Sequence, residues 1–233
     1  MEALIAFLAA LVTLRLAGAM AARYRESRRP EYGLWSAGFV AYAISTGALA
    51  WAAAYGWGDP SFRAYYLFGG LLTAALLGAG SLARLGWRHS VTASLLYAGL
   101  AVGVAIATPI DPSVAGDTIP AAQNHLAFIP ARIVAIVGNT VGTLALIAGG
   151  LAILPRRRLD GAFLLAGVAL AAGGSAVAGL GEAQTSVFVA GAAVLLYAGM
   201  TGAGTAWAQL AKAVQTVVER TKGQRHGHGA GTG

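Results

Sequence analysis

Seven apolar stretches, each close to the ~20 residues that a helix needs to cross a bilayer, dominate this chain. They run over 3–22, 33–55, 65–85, 91–108, 131–154, 161–181 and 186–210. In lipid no water satisfies an open backbone, so each stretch is predicted to be a helix that pairs its own N–H and C=O groups. Composition agrees: 57% of the residues are hydrophobic and 11% charged, against about 25% charged in soluble domains. The 33 glycines fall inside the apolar runs as well as between them, as in helices that pack closely in membranes. The expected fold class is all-α, a polytopic membrane protein with seven transmembrane helices.

The joints orient the bundle. Arg23, Arg25, Arg28 and Arg29 follow the first segment, Arg84 and Arg88 the third, and Arg156, Arg157 and Arg158 the fifth; Lys212, Arg220, Lys222 and Arg225 follow the seventh. The alternate joints carry Asp59, Asp111, Asp117 and Glu182, with Arg63 and Arg132 as their bases. Basic joints stay in the cytoplasm, so the N-terminus is expected outside and the C-terminus inside, in a chain integral to the cell membrane. The same rule accounts for the net charge of +7 without invoking nucleic acid. MEALIAF opens with an acid where a signal peptide carries bases, so the first segment is expected to be retained. Residues 109–130 form the longest outer loop, with four of the seven prolines. Residues 1–210 are read as the membrane domain, and 211–233 as a basic tail, helical and then disordered.

An internal repeat is expected. Laying segments one to three over five to seven places RRPEYGLWSAGFV (28–40) on RRLDGAFLLAGVA (157–169), and LGAGS (77–81) on TGAGT (201–205). The halves, about 1–90 and 131–210, then point the same way and are joined by segment four and the outer loop. This 3+1+3 layout resembles that of the SWEET and PQ-loop transporters, which implies a site between halves near the bilayer midplane. No proline–glutamine pair occurs in the chain, so no residue role is carried across from that family.

Polar residues at depth are the functional candidates. All nine acids fall in termini or joints, which disfavours a carboxylate proton relay. Lys212 and Lys222 lie at or beyond the inner end of segment seven, which disfavours a retinal Schiff base. His89 and His125 stand at opposite sides, which disfavours haem. His226 and His228 are too few for a metal site, and the chain has no cysteine. No cofactor is expected.

The remaining candidates are Asn139 and Thr143 on one face of segment five, and Tyr197, Thr201, Thr205 and Gln209 at every fourth residue of segment seven. Thr73 and Ser81 in segment three, and Tyr42, Ser45 and Thr46 in segment two, add weaker polar positions. Arg15 lies about 12 residues, or roughly 18 Å, into segment one. Its long side chain either snorkels to the headgroups or leans toward the depth of Asn139 and Thr143, where carbonyls, amides, water or the anionic group of a solute or lipid would be its partners. The pairs Gly99/Gly103 and Gly138/Gly142 are suited to close packing, within the fold or between copies of the chain.

The ligand-binding set expected on these grounds is Arg15, Asn139, Thr143, Tyr197, Thr201 and Thr205. A small-solute transporter is the leading function. A membrane sensor, or a complex subunit that docks a cytoplasmic partner through the tail, is the alternative. No nucleophile stands beside a base, so an intramembrane enzyme ranks third.

Overall fold

The computed structural model describes residues 2–109, 129–177 and 182–203. Among these residues the regular structure is helical, in seven spans. They are α1 (Glu2–Ser27), α2 (Pro30–Tyr55), α3 (Asp59–Arg84), α4 (Ser90–Ala107), α5 (Ile129–Ile153), α6 (Arg158–Val177) and α7 (Glu182–Thr201). The first five are long and apolar enough to cross a membrane, as an integral membrane protein requires.

Each predicted segment coincides with one helix, but the ends differ for local reasons. Pro30, whose missing N–H costs nothing in a first turn, lets α2 begin three residues before its apolar run. At its other end Gly56 takes a φ of 84° and returns its N–H to the Ala52 carbonyl at 2.7 Å. Ser61 accepts a hydrogen bond from the Gly58 N–H at 3.1 Å, so α3 starts at Asp59, ahead of the apolar stretch. α7 ends at Thr201, where Gly202 takes a φ of 76°. The later part of segment seven, with Thr205 and Gln209, lies outside the described residues, as do most of the 109–130 joint and the tail.

Neighbouring helices form a closed ring of six in the order α1, α2, α3, α5, α6, α7, and α7 returns to α1. α4 stands outside the ring against α3 and α5. Glycines set the closest approaches. Gly78 on α3 and Gly142 on α5 meet backbone to backbone, and Gly142 also abuts the Ala74 carbonyl, so side chains there would push the helices apart. Gly138 makes room for the hydroxyl of Tyr97 from α4. The second glycine pair behaves differently: Gly99 and Gly103 have no described neighbour within 4 Å.

Two helix pairs share one interlock. On α2 and α3, Gly38 lies under Leu77 while Gly80 lies under Trp35. On α6 and α7, Gly167 lies under Leu196 while Gly199 lies under Leu164. In each pair the large residue and the glycine are three apart on both helices. This register places Leu77 with Leu196, five residues before the Thr201 of the expected LGAGS/TGAGT match. LGAGS lies within α3, whereas the last two residues of TGAGT lie outside the described residues.

Helix ends are held by arginines. At one end Arg63 bonds Asp59 at 2.7 Å and reaches the carbonyls of Ala105 (2.7 Å) and Thr108 (3.0 Å) where α4 ends. At the opposite end, Arg84 and Arg23 donate to the Met200 and Thr201 carbonyls of α7, at 3.0 and 3.3 Å. Guanidinium groups there satisfy carbonyls that a helix leaves open and oppose the negative end of its dipole. Glu31 and Asp160, expected in polar joints, sit in the first turns of α2 and α6 and are buried. Glu31 is paired with Arg29 at 2.6 Å, and Asp160 lies 3.9 Å from Arg157.

Candidate functional site

The middle of α3 is not α-helical. Tyr65–Thr73, YYLFGGLLT, forms a π-helix, a wider turn that is uncommon and often found at functional sites. The widening leaves its carbonyls to be met by other helices. Asn139 Nδ2, from α5, donates to the Gly70 carbonyl at 2.7 Å. Tyr97, from α4, stands 3.1 Å from the Leu71 carbonyl and 3.0 Å from that of Val134. Within the segment Thr73 Oγ1 bonds the Phe68 carbonyl five residues back at 2.7 Å. Gly69 is pressed by Ser45 of α2, so a side chain there would collide.

This segment forms one wall of a cavity of about 520 Å³ inside the ring. Small-molecule sites span roughly 300–1,000 Å³, so the volume suits a small solute. α2 contributes Tyr42, Ser45 and Thr46; α3 contributes Tyr65 and Thr73; α5 contributes Asn139 and Thr143. The facing wall, from α6 and α7, is apolar, with Val168, Ala171, Val189 and Leu196. No charged side chain lines the cavity among the described residues. Several lining groups are already tied to backbone: Ser45 to the Tyr65 carbonyl (3.4 Å) and Thr46 to that of Tyr42 (2.8 Å). A ligand would meet hydroxyls held in fixed directions and no net charge.

Leu77, Leu146, Val168 and Leu196 line the cavity and belong to a buried apolar cluster that also contains Trp35, Phe39 and Leu164. Trp35 and Leu164 line a second cleft at the arginine-bearing end. The cluster is thus shared between the two spaces, and its two interlocked glycine pairs fix the helices that carry it.

The structure brings together some of the expected site residues and separates others. Asn139 and Thr143 share the cavity wall, and the weaker candidates Tyr42, Ser45, Thr46 and Thr73 join them. Arg15 does not: it is exposed on the outer face of α1, among the exposed Leu8, Leu11, Val12 and Leu14. The approach to Asn139 expected of it required α1 beside α5, but α1 packs on α2 and α7. Tyr197 and Thr201 are also outside the lining. Tyr197 packs on the apolar cluster, and the Thr201 hydroxyl bonds the Tyr197 carbonyl at 2.9 Å. Sequence reasoning found Thr73 but missed the π-helical turn of the α3 wall, for which the paired Gly69 and Gly70 after two tyrosines were the available signal.

No known protein family, curated protein or solved structure matches the chain.

Proposed function

We propose that the chain is a membrane carrier of a small, uncharged solute, bound in the cavity between its two halves. The observation that carries this reading is the cavity itself: polar on the α2, α3 and α5 walls, apolar on the α6 and α7 walls, and without a charged lining group among the described residues. A solute with hydrogen-bonding groups along one edge and an apolar opposite face is complementary to it. An ion would lose hydration there with no counter-charge to replace it.

Two further features support a carrier over a passive bundle. The matched glycine interlocks of α2 with α3 and of α6 with α7 are what a parallel 3+1+3 repeat would produce, and transporter sites commonly lie at such repeat interfaces. The apolar cluster between the cavity and the arginine-bearing end has the position of a closed gate. With that end in the cytoplasm, the cluster separates the cavity from the cytoplasm. Arg15 has no part in it and serves as a headgroup anchor.

Uptake into proteoliposomes tests this. Radiolabelled urea, glycerol and glucose are compared with lactate and choline as charged controls, with Asn139→Leu and Thr46→Leu as cavity variants. The reading requires saturable uptake of a neutral probe that both variants reduce at least tenfold. Uptake confined to a charged probe would refute it.

A further inference from the structure

At the arginine-bearing end a second cleft, of about 280 Å³, opens between α3 and α5 over Trp35 and Leu164. Arg84, Arg156 and Arg157 line it, and no acidic side chain does so among the described residues. The nearest described acids have partners: Glu31 is paired with Arg29 at 2.6 Å, and Asp160 stands 3.9 Å from Arg157 on the buried side.

Arg84 is held in place. Its guanidinium lies over the Trp35 ring, 5.6 Å from the centroid, and one nitrogen donates to the Met200 carbonyl at 3.0 Å. A guanidinium has five N–H donors, so most of this one remain for a ligand in a fixed plane. The Arg156 side chain makes no hydrogen bond to a described residue and is exposed at the rim. Three arginines share this lining over an apolar floor, and Asp160 partly offsets only Arg157, so net positive charge remains in the cleft. Planar forks of this kind match phosphate oxygens two at a time. Basic pockets between transmembrane helices at the cytoplasmic face are where lipid head groups bind.

We propose that this cleft binds a phosphate group, through Arg84, Arg156 and Arg157. The group is a phosphate monoanion or dianion, carried by an anionic phospholipid or free in solution. The proposal is independent of what the central cavity carries.

Thermal unfolding of the detergent-purified full chain tests it, with phosphatidylglycerol, phosphatidylcholine or inorganic phosphate titrated in turn. The expected result is a saturable rise in midpoint with phosphatidylglycerol, with inorganic phosphate, or with both. A response to the lipid alone identifies a headgroup site, and a response to inorganic phosphate identifies a soluble anion site. Arg84→Gln and Arg156→Gln should each weaken the response at least tenfold, and Arg158→Gln, which is outside the lining, should leave it intact. The Arg156 side chain holds no described hydrogen bond or ion pair, and its backbone bond to Ile153 survives substitution, so its variant reports binding even if Arg84→Gln fails to fold. The proposal is overturned if neither phosphatidylglycerol nor phosphate shifts the midpoint, if phosphatidylcholine raises it as much as phosphatidylglycerol while phosphate does not, or if Arg156→Gln responds like the parent chain.

Discussion

Asn139 donates its side-chain amide to the carbonyl of Gly70 at 2.7 Å, and this bond joins α5 to the π-helical turn of α3. The two residues come from different helices, so the bond fixes the cavity wall where α3 and α5 meet. Asn139→Ala would leave the Gly70 carbonyl without that donor. Polar contacts between membrane helices average about 0.6 kcal/mol, with a maximum near 1.7. We expect a thermal midpoint only a few degrees lower, with uptake of the neutral probe falling at least tenfold. A large stability loss with normal uptake would assign Asn139 to structure alone.

The interlocked glycines should behave as a matched set. Gly38→Ala and Gly167→Ala each drive a methyl into a leucine and its backbone. Overpacking of this kind costs about 1–3 kcal/mol. Both variants should lower the thermal midpoint by similar amounts, whereas Gly99→Ala, with no described neighbour within 4 Å, should be neutral. A neutral Gly167→Ala beside a damaging Gly38→Ala would break the equivalence of the halves.

Arg15→Leu should leave both folding and uptake close to those of the parent chain, because its neighbours on the α1 surface are exposed leucines and valine. Uptake and the thermal midpoint measured together check this. A loss of uptake at an unchanged midpoint would return Arg15 to the solute path.

Arg63→Ala removes three hydrogen bonds at once, two of them to the last carbonyls of α4. Bonds from charged groups contribute about 1.5–3 kcal/mol each when buried, and less here because Arg63 is partly exposed. A loss of about 1–3 kcal/mol is expected in reversible unfolding, without an effect on solute affinity measured by probe titration.

What was readable in the sequence follows from what lipid enforces. Helix number and approximate bounds came from apolar length alone, because a membrane helix satisfies its own backbone. Asn139 and Thr143 were legible because a polar face on an apolar helix is conspicuous. The direction of Arg15 was not, since helix adjacency is a property of the ring and no local pattern shows that α1 avoids α5. The segment-seven stripe is legible only in part: periodicity places Tyr197 and Thr201 on one face, but Thr201 bonds its own turn, neither lines the cavity, and Thr205 and Gln209 lie outside the described residues. The π-helical wall depends on a widened backbone between Tyr65 and Thr73, which periodicity at 3.6 residues cannot register.

The central claim is that the cavity between the halves is the solute path. The chain contains no cysteine, so Thr143→Cys introduces a single reactive site on the cavity wall. Proteoliposomes carrying this variant would be treated with a membrane-impermeant methanethiosulfonate reagent, with and without excess transported solute, before uptake is measured. The account predicts modification that abolishes uptake and is slowed by the solute. Modification that leaves uptake intact would contradict it.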